Sequence, residues 1–397
     1  MRRALLTPVT LAATAAFAWV AAPALSLTPE APRATDFEQR LPEVRRLAAP
    51  NRFRSPVVEA PREFDLVGLG GEMREVEVRV RHDGAWTPWV ESDNGDPVYA
   101  GGADAVQLRA SGFEPEGELH YVNLSEPQGG VLDTVRGAIH SAFLSIASSP
   151  PVKLAAPEVA EAAVARRTPP MPGVVPRSAW GADTPGTGCP PRAGPVYGQV
   201  HAAVVHHTVS AVAYTPEEAP GIVLGICRYH VFGNGWNDIG YNTLVDAYGT
   251  LYEGRAGGLN LPVTGAHAEG WNSQTTGIAS IGDHTATPPT PAAVTSIVNF
   301  LAWKMFASAA VPVRGTATML SAGGSTNRFP SGTTATLPRI FGHGTSNNTE
   351  CPGATMAPLV ASIQARVQAR IKKYTRVKKK KRGKRGKRKH QRQKPRR

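Results

Sequence analysis

The chain has 397 residues, 41% hydrophobic and 19% charged, which is the composition of an ordinary globular protein with length enough for two domains that each bury a core. The formal net charge is +13, but 17 of the 44 Lys and Arg lie in residues 372–397, where there is no Asp or Glu. The rest of the chain carries 27 basic against 31 acidic side chains, so the basic character belongs to a tail and not to the folded part.

At the start, Arg2 and Arg3 precede an apolar run over residues 8–22, and Ala22-Pro23-Ala24 supplies small residues for cleavage. This pattern reads as a signal peptide over 1–26 and places the protein outside the cell. The run is shorter than the ~20 residues a membrane span requires. Residues 27–51, rich in Pro, Ala and charge, read as a flexible lead-in. Glu75-Val76-Glu77-Val78-Arg79-Val80 then alternates with period two and meets Asp83-Gly84 before Trp86 and Trp89, a β-hairpin signal. With further short strands at 105–109 and 119–124, residues 52–147 are expected to form a small all-β domain. Its two tryptophans either pack in the core or stack on sugars. Pro-Pro pairs and Ala-rich stretches mark 148–173 as a linker.

The second domain is expected over 174–371. The apolar strand Ala202-Ala203-Val204-Val205 runs into His206-His207-Thr208, and Thr215-Pro216-Glu217-Glu218 has a capping-box pattern ahead of a helix that Pro220 kinks or delays. Strands are expected at 242–246, 251–253 and 277–281, a helix from Thr290-Pro291, and another over 357–372. Strands interleaved with helices indicate an α/β or mixed α+β domain with helices on a central sheet. Residues 372–397 cannot collapse against their own repulsion and are expected to be disordered. Such a tail is either a solvated end or an electrostatic tether to a polyanion such as cell-wall phosphate polymers or a membrane surface. Nucleic acid is not the expected partner, because the tail has one aromatic residue, Tyr374, and no base-reading fold accompanies it.

There are three cysteines. In an oxidising compartment two should pair. Cys189 and Cys227, both close in sequence to the strand near 201–207, are the expected couple, which leaves Cys351 for chemistry. His206, His343 and Cys351 are of metal-ligand type and sit where strands give way to loops. Two histidines and a thiolate can hold zinc at three corners and leave the fourth open, as catalytic zinc sites do. The spacing alone does not separate this from hydrogen-bonded structural histidines.

The surrounding motifs add to that reading. Pro176-Arg177-Ser178-Ala179-Trp180-Gly181-Ala182, Val205-His206-His207-Thr208, Trp236-Asn237-Asp238-Ile239-Gly240-Tyr241-Asn242, Leu251-Tyr252-Glu253-Gly254-Arg255, Gly265-Ala266-His267-Ala268, Asn272-Ser273-Gln274-Thr275-Thr276-Gly277-Ile278, Gly342-His343 and Cys351-Pro352-Gly353 follow in order. Across residues 174–365 the chain resembles the type-2 N-acetylmuramoyl-L-alanine amidase and peptidoglycan recognition protein family, in the form of its secreted actinobacterial branch.

The resemblance implies a peptidoglycan recognition protein-like fold, Zn2+ held by His206, His343 and Cys351, and hydrolysis of the lactyl-amide bond of peptidoglycan. Members that only bind peptidoglycan lack the cysteine, so Cys351 points to an enzyme. The alternative is a non-catalytic wall-binding module tethered by its tail. Tyr241 matches the family's catalytic tyrosine, and Thr349 stands where relatives carry a lysine or threonine that assists at the same oxygen. Arg255, His267 and Asn272 are candidates for the muramyl-peptide groove. His207 points away from the metal because adjacent strand residues face opposite ways, and it is either a groove residue or structural. A monomer is expected. Two departures stand out: Gly344-Thr345 where relatives read Arg-Asp, and Gly282-Asp283-His284 after Ile281. The first puts in question the rigidity of the loop that carries the ligands.

Overall fold

The computed structural model describes residues 31–70, 76–92, 95–125, 168–210 and 212–375. The expected signal peptide, most of the linker and nearly all of the basic tail lie outside the described residues.

The N-terminal region is all-β, as expected. Its strands are β1 (Arg33–Arg40), β2 (Arg45–Arg46), β3 (Arg52–Arg54), β4 (Val58–Leu69), β5 (Val76–His82), β6 (Ala85–Trp86), β7 (Val90–Ser92), β8 (Val98–Ser111) and β9 (Glu118–Ser125). They run in the order β1-β9-β4-β8-β3-β2, with β5 on β8 and both β6 and β7 on β5. Val76, Val78 and Val80 point inward at every second residue and join Val106, Leu108, Val67 and Leu69 in the core. Asp83 and Gly84 take φ of 50° and 74°, the left-handed pair that a two-residue hairpin between β5 and β6 needs.

Of residues 27–51, expected as a flexible lead-in, the described part, 31–51, contributes β1 and β2. β1 pairs antiparallel with β9 from Arg33 opposite Ser125 to Arg40 opposite Glu118. Ala34 is fully buried and the Phe37 ring stacks on Tyr121 at 4.8 Å. β1 is an edge strand, and an edge strand keeps charge on its outward positions, so composition concealed the period. Trp86 and Trp89 are neither core nor bare. Both are half-buried, with the Arg79 guanidinium 4.7 Å from each ring and Arg109 4.5 Å from Trp89.

The second region holds a five-stranded sheet made of β10 (Ala202–His207), β12 (Thr243–Val245), β13 (Leu251–Glu253), β14 (Thr275–Ser280) and β17 (Ile340–Gly342), in the order β13-β12-β14-β10-β17. β10, β14, β12 and β17 run parallel and only β13 is antiparallel. Every residue of β10 is buried, which is why its sequence is an unbroken apolar run rather than an alternating one. Helices α2 (Pro291–Leu301) and α3 (Val360–Thr375) cover one face through Ile297, Leu301, Ile363 and Val367 against Ala203 and Val205. Helix α1 (Ala219–Arg228) covers the other through Ile222, Val223 and Ile226. Thr290 caps α2 by accepting from the Ala293 N–H at 3.1 Å. Pro220 delays α1 to Ala219, and the Glu218 carboxylate accepts from the Thr215 N–H, half of the expected capping box. A hairpin of β15 (Thr316–Leu320) and β16 (Thr334–Pro338) was not expected from the sequence.

The two regions share a core. Ala34, Leu66 and Val122 pack with α1, and a Cβ on Gly225 would lie 2.2 Å from a Leu66 methyl, so only glycine permits this approach. β11 (Val209–Ser210), which follows β10 directly, pairs in parallel with Val98 and Tyr99 of β8 and so extends the N-terminal sheet. Arg228 of α1 forms a bidentate ion pair with Asp36 of β1. Burial alone would raise the Asp36 carboxyl, but hydrogen bonds from His120 and Arg228 hold it below the usual carboxylate range. Cys189 and Cys227 form the expected disulfide beside this core.

Candidate metal centre

β10 and β17 are parallel neighbours with Val205 opposite Gly342, so His206 and His343, one residue further on, emerge side by side at the carboxyl ends of both strands. That end of a parallel sheet is where ligands gather in α/β folds. Their rings lie 4.5 Å apart, and the chain then turns back so that Cys351 reaches the same point. The return is tight. Gly344 donates its N–H to the Cys351 carbonyl at 2.7 Å, and a Cβ on Gly344 would lie 2.7 Å from the Thr349 carbonyl. The Arg328 guanidinium braces the loop by donating to the Gly344 and Asn347 carbonyls, both at 2.9 Å. The Gly344-Thr345 departure therefore fits a loop held by a glycine and an outside arginine.

The ligand atoms of His206, His343 and Cys351 all lie within 4.8 Å of one another, and all three residues are buried. Cys351 Sγ is 3.6 Å from His206 Nδ1. A tetrahedral zinc with bonds of about 2.0–2.3 Å sets neighbouring ligand atoms about 3.3–3.7 Å apart, so this edge matches the group and the borderline-soft donor set suits it. On its far side His206 Nε2 bonds His267 Nδ1 at 3.1 Å. With His206 as the donor in that contact, its Nδ1 lone pair faces Cys351. Burial first, then the neighbouring histidines, holds His206 well below the usual imidazole range, which keeps it neutral as a ligand must be. Burial, with His343 and Arg255 adding to it, pushes His267 down to about 3. Gly265 and Gly277 make the slot for the His267 ring, since a Cβ on either would sit 2.4–2.5 Å from it.

Tyr241 is buried beside this centre, its ring 5.2 Å from that of His206. Thr349 accepts from the Cys351 N–H at 3.0 Å. Of the groove candidates, His267 supports His206 as described. Asn272 accepts through Oδ1 from the N–H groups of His267 and Ala268, both at 2.8 Å. Arg255 donates to the carbonyls of Ile239 at 2.9 Å and Asp238 at 3.1 Å. His207 Nδ1 accepts from the His284 N–H at 3.0 Å. Each has polar atoms bonded to the surrounding frame. His207 also lines a small cavity with Glu91, Thr285, Thr349, Glu350 and Cys351, which has room for about one water molecule.

Sequence reasoning missed Asp96 and His230. Asp96, between β7 and β8, is buried, accepts the Tyr241 hydroxyl through Oδ2, and faces His230 Nε2 at 2.9 Å through Oδ1. His230 Nδ1 accepts from the Gly240 N–H at 3.1 Å, so Nε2 carries the proton and donates. Gly95-Asp96-Pro97 reads as a turn and nothing more. No local signal ties it to Tyr241.

A family model described as N-acetylmuramoyl-L-alanine amidase matches residues 196–354, a span that contains His206, Tyr241, His343 and Cys351. Peptidoglycan-recognition protein SC2 of Drosophila simulans and its counterpart in Drosophila melanogaster are each 33% identical over 154 residues, covering 39% of this chain and 68% of the relative. The chain belongs to the N-acetylmuramoyl-L-alanine amidase and peptidoglycan-recognition protein family. Within that family, peptidoglycan-recognition protein LB of Drosophila melanogaster is 27% identical over 187 residues, 47% of this chain and 66% of its own. The solved structure of wild-type Drosophila PGRP-LB aligns at 24% identity and a TM-score of 0.37, over 48% of this chain and 93% of that one. The match to the family model begins at residue 196, so β1 to β9, Asp96 included, lie outside it.

Proposed function

We propose that this family member is a secreted, zinc-dependent amidase that hydrolyses the amide between the lactyl group of N-acetylmuramic acid and L-alanine in peptidoglycan. The observation that carries the reading is the convergence of His206, His343 and Cys351, with ligand atoms within 4.8 Å, beside Tyr241. Two imidazoles and a thiol suit a catalytic zinc, which a module that only holds peptidoglycan does not require.

His206, His343 and Cys351 would hold the zinc, which when bound polarises the scissile carbonyl and activates water for attack. His267, by accepting from His206 Nε2, would keep His206 in the tautomer that offers Nδ1. The Tyr241 hydroxyl donates to the carbonyl oxygen as it gains negative charge, a contact that strengthens only in the transition state. Thr349 holds the Cys351 amide and faces the same cavity, where its hydroxyl can assist at that oxygen. The basic tail over 372–397 would keep the enzyme on anionic wall polymers or lipid headgroups, and retention should weaken steeply as salt rises.

The second reading, a wall-binding module without turnover, draws on the one-water size of the cavity at Cys351. Zinc content measured together with clearing of purified sacculi separates the two. One zinc per chain with clearing supports the amidase; one zinc per chain and undiminished turbidity supports the binding module.

A further inference from the structure

We propose that Asp96, with the neighbouring residues 90–92 and 95–97, holds the amidase site shut, so that turnover requires this stretch of the N-terminal region to move off Tyr241. The consequence for turnover rests on the amidase reading of Tyr241. The closure itself rests on geometry.

A phenol has one proton. Tyr241 gives it to the Asp96 carboxylate, a charge-assisted bond, and while it does so it cannot donate to a substrate oxyanion. Asp96 is kept in place from both sides. His230 donates to it at 2.9 Å, and the Ser92 hydroxyl donates to its carbonyl at 3.2 Å. Asn234 donates to the Gly95 carbonyl at 2.6 Å, and the Gly95 backbone, at φ 82°, lies against Trp236, which stacks on His230 at 4.6 Å. Glu91, from the same stretch, forms one wall of the cavity at Cys351. That cavity takes about one water, whereas small-molecule sites run to roughly 300–1,000 Å³. While residues 90–92 and 95–97 stay where they are, Tyr241 is engaged by Asp96 and the cavity beside Cys351 is too small for a muramyl peptide.

The part that moves is this short stretch and not the whole N-terminal region. Leu66, Val122 and Ala34 share an apolar core with α1, and β11 is paired to β8, so separating the regions would expose a large apolar surface. The contacts that residues 92, 95 and 96 make are instead hydrogen bonds, so this stretch can leave Tyr241 without opening that apolar core. The region that supplies Asp96 lies outside the matched family span, so this control is an addition to the amidase and not part of it.

The test uses the full chain in two states. In metal-free protein, the rate at which iodoacetamide alkylates Cys351 is followed by mass spectrometry in wild type, Asp96→Ala and Asp96→Asn, with melting curves to show that each is folded. Alkylation is expected to be at least about tenfold faster in Asp96→Ala, with a smaller gain in Asp96→Asn, which keeps an acceptor but loses the charge. In zinc-loaded protein, turnover of a soluble muramyl tripeptide should rise in parallel, and the rise should vanish in Tyr241→Phe/Asp96→Ala. A folded Asp96→Ala chain that alkylates at the wild-type rate overturns the closure. If that variant does not fold, the same comparison is decided with Asp96→Asn. Faster alkylation with turnover below wild type overturns the inhibitory role of Asp96. Faster alkylation with no turnover from any zinc-loaded chain leaves the closure standing and refutes the amidase reading instead.

Discussion

The Tyr241 hydroxyl donates to the carboxylate of Asp96, a residue 145 positions earlier in the chain and outside the region that matches the amidase family. The group proposed to stabilise a developing oxyanion is therefore held by a part of the chain that the family match does not include.

Replacing Tyr241 by Phe removes one hydroxyl and leaves the ring against His206. Loss of a single oxyanion donor lowers turnover by about 100- to 1,000-fold. Zinc content should not change. Metal analysis alongside muramyl-peptide kinetics checks this; turnover within a few-fold of wild type would remove Tyr241 from the mechanism.

Cys351→Ser exchanges a thiolate for a hydroxyl that does not ionise at neutral pH. Bound zinc should drop well below one per chain and activity with it, while the melting curve of the metal-free protein stays close to that of wild type. Full zinc occupancy in the variant would place the metal elsewhere.

Gly277→Ala would set a Cβ 2.5 Å from the His267 ring, which is wedged between the backbones of Gly265 and Gly277 and cannot swing away like a flexible side chain. Overpacking of this kind costs about 1–3 kcal/mol. Because His267 orients His206, zinc affinity should fall as well. Equilibrium unfolding and competitive chelation measure the two effects; a variant unchanged in both would show that the slot relaxes freely.

His284 gives an acid-stability signature. Its Nδ1 bonds the Thr287 carbonyl at 2.9 Å and must donate, so Nε2 accepts from the Ser280 hydroxyl at 2.8 Å. Burial pushes its pKa down to about 4 from an ordinary value near 6.5. The folded chain thus binds fewer protons here than the unfolded one between those values. This contribution is fully present above pH 6.5 and is lost as pH falls through about 4, amounting to at most about 3 kcal/mol. His284→Asn should flatten that part of the pH–stability curve of the metal-free protein, and an unaltered slope would contradict the assignment.

The Cys189–Cys227 disulfide closes a loop of sequence separation 38 next to the core shared by the two regions. Replacing both cysteines by Ser should cost about 2–4 kcal/mol. Denaturant titration reads it, and a loss near zero would mean that the packing of α1 alone fixes the loop.

Much of the second region was legible. An apolar run ending in two histidines announces a buried parallel strand that delivers His206 to its carboxyl end, and the Gly342-His343 and Cys351-Pro352-Gly353 motifs announce its neighbours. The strand over Val76 to Val80 was equally plain, because every second residue is only partly buried and the alternation survives. β1 was hidden because an edge strand tolerates charge at nearly every outward position, so composition outweighed period. His267, Arg255 and Asn272 were expected at a groove, since motif residues near a metal invite that reading. Their hydrogen bonds to ring and backbone atoms were not foreseen, because side-chain direction is not written in spacing. Asp96 was out of reach for a different reason. Its partner is set by the docking of two regions, and nothing in a turn sequence carries that information.

The most direct test of the central claim is mass spectrometry of purified peptidoglycan after incubation with zinc-loaded protein, wild type and Asp96→Ala, with and without a chelator. Release of stem peptides that begin with a free L-alanine amine, stronger in Asp96→Ala and abolished by the chelator, is the predicted result. Intact sacculi with both proteins, at one bound zinc per chain, would contradict it.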